Sequence, residues 1–324
     1  MPHIALLLPL NGGPFVAHAE AVRDGFLAAA RVQGSLALPL RVYAATDDSA
    51  VTIAGYRQAV AGGARLVVGP LTRSSVSALA ATGVIPVPTL ALNAPDGGGA
   101  LPPRFYVLTL QIDAEARLVA RLAYGEGQRR VYTVAATDAL SRRMNEAFIE
   151  EFRRLGGEQA DGQIYAGGDT AGLARYRASI EASKADAIFL ALDAERARAV
   201  KSYLGSLPVY ATSQVYAGER GDLANFELSD VRFVGMPWLL QRDHSAVMVY
   251  PRVAYGGDLD LQRLYALGID AFRVSQELLE GRTEITLDGV TGGLSLGRDR
   301  IFRRALPVAR FSDGKVSVVG EAQP

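Results

Sequence analysis

Short apolar runs alternate with longer segments of helical period along the first 240 residues. No other feature restricts the fold as much. Ile4–Leu8, Leu40–Ala45, Leu66–Val68 and Pro86–Leu92 read as buried strands. Between them, Val16–Val32 places Val22, Phe26, Ala29 and Ala30 on one helical face, and Asp47-Asp48-Ser49 opens a helix running to about Ala61. Phe105–Leu110 is strand-like, and a helix over Ala114–Tyr124 follows. From Arg130 the pattern restarts. VYTVAA, QIYAG, AIFLAL, PVYATS and VRFVGMPW read as strands, with helices over Ser141–Leu155, Leu173–Ala182 and Ala194–Leu204. Strand–helix–strand order builds parallel sheets with crossover helices. Two such runs in 324 residues predict an α/β protein of two doubly wound lobes with parallel sheets.

The boundary at Thr109–Asp113 lacks flexible-linker composition and reads as a packed hinge. Beyond Trp238 the pattern changes. Residues 241–260 carry Gly256-Gly257 and few periodic apolar positions. Leu261–Leu279 is a long helix with Leu264, Leu267, Ala271, Val274 and Leu278 on one side, and Thr286–Leu296 and Ile301–Phe311 read as β-segments around turns. The long helix has no sheet partner near it in sequence and packs most simply on the first lobe. The expected division is 1–110 plus 238–287 for one lobe, and 111–237 plus 288–324 for the other.

Composition removes several function classes. Thirty-four basic and 34 acidic side chains leave no net charge, so neither nucleic acid nor anionic lipid is an expected partner. Cysteine is absent, which excludes disulfides, cysteine nucleophiles and thiolate metal sites. His3, His18 and His244 are far apart, and no HExxH, GxSxG, Walker A or GxGxxG pattern occurs. Gly125-Glu126-Gly127 precedes a strand, and Gly167-Gly168-Asp169 follows one but lacks a phosphate-loop lysine. The expectation is a protein that is not an enzyme and has no cofactor, metal or catalytic residues. No apolar run reaches membrane-spanning length. MPHIALLLPL is too short for a signal peptide and reads as a first strand, so an export signal would lie outside this sequence.

Candidate ligand contacts fall where strands give way to helices. In RLVVGPLTRSSVSAL, from Arg65 to Leu79, a strand ends at Gly69-Pro70 and a helix starts at Thr72–Ser75. Thr72 and Ser74 either cap that helix or bind a carboxylate or other anion together with its free N–H groups. Arg73 is a solvated charge or a carboxylate clamp. Asn11, in the turn Asn11-Gly12-Gly13-Pro14, and Asn93, at a strand end, belong to the same set. From the second run come Asp138 and Ser141, after its first strand, and Gln214, after PVYATS. Trp238, the only tryptophan, packs at a crossover or stacks on a ligand.

IALLLPLNGGPFVAHAEAVRDGFLAAA resembles the opening of type I periplasmic binding proteins. Further segments resemble the LppC-type lipoproteins, the penicillin-binding protein activators. They are RLVVGPLTRSSVSALA, PTLALN, DAIFLALDAERARAVKSYL, LPVYATSQVYAG, DLANFELSDVRFVGMPWLL, RLYALGIDAFRV and DGVTGGLSLGRDRIFRRALPVARFSDGKV, and together they cover nearly the whole chain. The resemblance implies two α/β lobes joined by a three-stranded hinge, with a cleft between them. It implies a periplasmic lipoprotein on the inner leaflet of the outer membrane that stimulates a class A bifunctional peptidoglycan synthase by direct contact. Many members carry a preceding helical-repeat domain; neither such repeats nor a lipobox cysteine is present here, so membrane attachment would come from an anchor outside this sequence.

The alternative is a receptor delivering an amino acid or related solute to an ABC permease. Such receptors hold the ligand carboxylate at the helix matching Thr72–Ser75. They also use an aromatic residue in the loop matching Thr137–Ser141, and an acid to meet the ammonium. That loop has no aromatic here, and Asp138 and Asp193 are the candidate acids. The resemblance favours the activator, with a cleft that is vestigial or holds a small carboxylate or amino acid. The candidate partner surface is the 241–260 loop with Arg242, Asp243 and Arg252.

Overall fold

A computed structural model describes residues 1–167, 170–218 and 225–324. Gly168 and Asp169 of the glycine-rich turn considered above lie outside the described residues. The chain forms two compact units, 1–110 with 242–304 and 111–241 with 305–324.

In chain order the first unit begins with β1 (His3–Leu8), α1 (Val16–Gln33), β2 (Leu40–Ala44), α2 (Ser49–Ala61), β3 (Ala64–Val68), α3 (Arg73–Ala81), β4 (Thr89–Ala91) and β5 (Phe105–Val107). The second unit follows with α4 (Ile112–Gly125), β6 (Arg130–Ala136), α5 (Ala139–Arg154), β7 (Glu158–Tyr165), α6 (Thr170–Ser183), β8 (Ala187–Ala191), α7 (Ala194–Lys201), β9 (Val209–Ala211), β10 (Val231–Val234) and α8 (Pro237–Leu240). The first unit resumes with α9 (Ser245–Met248), α10 (Leu259–Leu279), β11 (Thr286–Gly289) and β12 (Gly292–Leu296). β13 (Phe302–Ser312) starts there and ends in the second unit, which β14 (Lys315–Ala322) completes.

In the first unit, β2-β1-β3-β4-β5 make a parallel sheet. Its interior strand β1 is buried at every position, as a strand covered on both faces must be. Ala5, Leu7, Val67, Ala91 and Phe105 share one core with Tyr56, Ala59, Val76 and Leu79 of α2 and α3. The long helix α10 lies against α1. The two approach through glycine: a Cβ at Gly25 would overlap the Tyr265 carbonyl oxygen, and one at Gly268 the Val22 carbonyl oxygen. Phe26 and Phe272 then meet edge to face, centroids 5.3 Å apart.

The second unit holds β7-β6-β8-β9-β10 in parallel, then β13 and β14 antiparallel. Ala116 and Val119 of α4 and Phe148 and Phe152 of α5 pack with Phe189 and Tyr210 of the sheet. Phe148 and Phe189 stack at 3.9 Å.

Four expectations need correction. Residues 288–304 belong with the first unit, because buried Asp270 of α10 accepts the Val290 and Thr291 amides at 3.0 and 2.8 Å and the Thr291 hydroxyl at 2.6 Å. Val107 also bridges Ile301 in parallel. Residues 238–241 belong with the second unit. The strand read over VRFVGMPW stops at Val234, because Pro237 occupies the first turn of α8 where its missing N–H costs nothing. The loop at 241–260 is also partly helical, with His244 Nδ1 capping α9 by accepting the Ala246 amide at 3.3 Å.

Candidate functional site

In the first unit the candidate residues collect at the carboxyl ends of the strands, where ligands bind in open parallel sheets. Gly69 closes β3 with φ +112°, and a side chain there would overlap the Leu7 carbonyl. Only glycine passes so near the neighbouring strand. Thr72 follows as the N-cap of α3, extended in backbone and buried, yet no side chain caps this helix. The Thr72 hydroxyl instead accepts from the exposed Ser74 hydroxyl at 3.5 Å. α2 contrasts with it, since Asp48 accepts its Ala50 and Val51 amides at 2.8 and 3.0 Å. The start of α3 therefore keeps its N–H groups and dipole for an acceptor from elsewhere. Arg73 stands 3.7 Å from Asp96, both well exposed, a pairing worth ~0–1 kcal/mol that leaves the guanidinium able to take another carboxylate.

Asn93 donates to the Leu71 carbonyl at 3.2 Å and accepts the Ala94 amide at 3.0 Å, so it braces the loop into α3. Asn11 is exposed and donates to the Ala44 carbonyl at 3.1 Å. The first unit thus brings Asn11, Thr72, Arg73, Ser74 and Asn93 to one sheet edge.

In the second unit the acids are already engaged. Asp138 caps α5 by accepting the Ser141 amide at 2.9 Å, and Asp193 caps α7 by accepting the Arg196 amide at 2.9 Å. The Arg196 guanidinium then bridges both carboxylates, 2.6 Å from Asp138 and 3.3 Å from Asp193. The Ser141 amide and, next, the Arg196 guanidinium hold the Asp138 carboxyl below the usual aspartate range. An ammonium arriving here would have to compete with a guanidinium already in place.

Two candidates leave the set. Ser141 is buried, with its hydroxyl accepting the Ala136 amide at 2.5 Å and donating to the Ala191 carbonyl, so it ties β6 to β8. Trp238 is fully buried. Gln214 sits half-buried in a 3-10 turn after β9, its backbone amide 3.4 Å from the Thr212 hydroxyl. Sequence reasoning missed Arg196, whose spacing from Asp193 was visible but whose reach to Asp138 was not. Among the described residues, no group of three or more His, Asp or Glu side chains could hold a metal ion. No helix among them is long and apolar enough to cross a membrane.

Comparison with known proteins gives this arrangement its context. The protein named "Penicillin-binding protein activator LpoA" in Photobacterium profundum is 24% identical over 99% of this chain and 57% of its own length. The chain therefore spans little more than half of that relative. The solved C-domain of LpoA from Haemophilus influenzae matches with a TM-score of 0.82 at 24% identity, covering 98% of this chain and 100% of that one. A "putative branched-chain amino acid ABC transporter" from Chromobacterium violaceum is 40% identical with a TM-score of 0.82, covering 96% of this chain and 100% of that one. The fold is α/β and type I periplasmic-binding-protein-like. The family model described as "LppC putative lipoprotein" matches residues 1–314, and this chain belongs to that family.

Proposed function

We propose that this chain is a periplasmic activator domain that stimulates a class A peptidoglycan synthase, a penicillin-binding protein, by direct contact and without catalysis of its own. In the full-length protein a lipid anchor would hold it to the inner leaflet of the outer membrane. The observation that carries this reading is a match over 99% of the chain to a relative named as a penicillin-binding protein activator. The bridging of Asp138 and Asp193 by Arg196 supports it, because an amino-acid receptor needs a free acid in that place. The proposed contact surface is the 241–260 segment, where Met248 and Val249 are exposed beside Arg242, Asp243 and Arg252. Aromatic, Met and Arg side chains are enriched at protein interfaces.

The test is a glycan-polymerisation assay with the cognate synthase. Adding the chain should raise the rate, and Met248→Asp should weaken that effect about tenfold or more while leaving the fold intact.

The second reading is a solute receptor. It is favoured by the 40% identity to the Chromobacterium violaceum protein and by the uncapped start of α3 beside Arg73. Calorimetry with leucine, isoleucine and valine decides between the two. Tight binding without any effect on the synthase would hand the case to the receptor.

A further inference from the structure

A cavity of about 270 Å³ opens on the second unit, at the strand ends opposite Asp138 and Asp193. Lys201 lines it from the last turn of α7, and Ser206 and Pro208 from the loop into β9. Asp230 and Arg232 line it at the start of β10, and Arg310 from β13. Among the described residues its charges do not balance. Arg310 pairs with Asp230. Arg232 pairs with Glu126, which also accepts the Tyr210 hydroxyl at 2.5 Å. The third cation, Lys201, has no paired carboxylate among the described residues, and Asp230 acts on it only through space. Burial pushes its ammonium below the ordinary lysine value. A half-buried charge with no paired carboxylate among the described residues is costly and gains most from an arriving counter-ion.

The pairs also leave donors over. Arg310 uses Nε and Nη2 on Asp230, and Arg232 uses Nη1 on Glu126, out of five N–H groups each. One excess positive charge among the described residues suits a monoanion, while the Asp230 carboxylate on the wall repels a second negative charge. Pro208, with the Leu207 and Val209 side chains beside it, gives an apolar wall for a stem.

We propose that this cavity binds a monocarboxylate on a short apolar stem, held by the Lys201 ammonium and the spare guanidinium N–H groups of Arg232 and Arg310. The site is separate from the start of α3 and does not depend on which function the chain serves.

Three lysines make the test direct: Lys184, Lys201 and Lys315. Butyrate is titrated into the whole chain carrying carbon-13 lysine, with the ε-carbon signals followed by NMR across pH. The Lys201 signal should shift selectively and its titration should move to higher pH, while Lys184 and Lys315 stay put. Lys201→Met, which keeps the stem and removes the charge, should weaken binding about tenfold or more. Lys315→Met should leave it unchanged. The proposal is overturned if Lys201 does not respond in the parent protein, or if folded Lys201→Met binds butyrate as the parent does. Inorganic phosphate binding as tightly as butyrate would overturn the monocarboxylate assignment. The NMR response of the parent decides the matter even if the variant fails to fold.

Discussion

Glu151 shows what one side chain can contribute. It lies on α5 with its side chain 6% exposed, taking Arg154 at 2.7 Å from its own helix and Arg121 at 2.6 Å from α4. Hydrogen bonds from Arg154 and then Arg121 outweigh its burial and lower its pKa from 4.5 to about 2. The folded value lies below the unfolded one, so the stabilisation is complete above about pH 4.5 and is lost as pH falls toward 2. The shift corresponds to about 3 kcal/mol, reduced to about 1–2 by the exposure of both arginines. Glu151→Gln should therefore lower stability at neutral pH by about that amount and flatten the acid limb of the curve. Urea denaturation at pH 7 and pH 3 checks this, and an equal loss at both pH values would refute it. The sequence offered half of the arrangement. Arg154 stands three residues on, while Arg121 stands 30 residues before and nothing local points to it. Asp270 is similar: a carboxylate on the apolar side of a helix is a visible oddity, but its partner turn at Val290-Thr291 is found only by folding.

At the scale of elements, the helix crossing is the decisive contact of the first unit. Gly268→Ala should destabilise by about 2–3 kcal/mol, because the new methyl meets the Val22 backbone, which cannot rotate away as a side chain could. Gly125→Ala, at the end of α4 with open space around it, should be neutral or slightly stabilising. Thermal unfolding of the pair decides it, and equal midpoints would discard the close-approach argument. Most elements were legible because burial on both faces writes a strand as an apolar run and a one-sided helix as a 3.6-residue period. β14 was not, since it pairs only with β13 and exposes Val318 and Val319, leaving no alternation to read. α8 was hidden inside an apolar run that continues from strand into helix without a polar break. Of the candidate site, the start of α3 was readable from its turn and hydroxyls. The loss of Ser141 was not, because its two partners come from β6 and β8.

At the scale of the molecule, the expected boundary at Thr109–Asp113 followed from the restart of the strand–helix pattern after it, whereas the division near 304 depends on long-range contacts that no local pattern carries. Residues 1–110 contain a complete parallel sheet but lack the helix that covers α1. Expressed alone they should give a collapsed amide spectrum, and co-expression with residues 242–304 should restore dispersion. Cooperative unfolding of 1–110 by itself would contradict this. The same discontinuity sets a clock. At ~5–20 residues per second, synthesis from residue 111 to residue 279 takes roughly 10–30 s. Throughout that interval Val22 and Phe26, both fully buried in the finished molecule, have no α10 to cover them. The nascent chain therefore carries an adhesive helix throughout that interval, and its yield depends on whatever shields that helix until Leu259–Leu279 arrives.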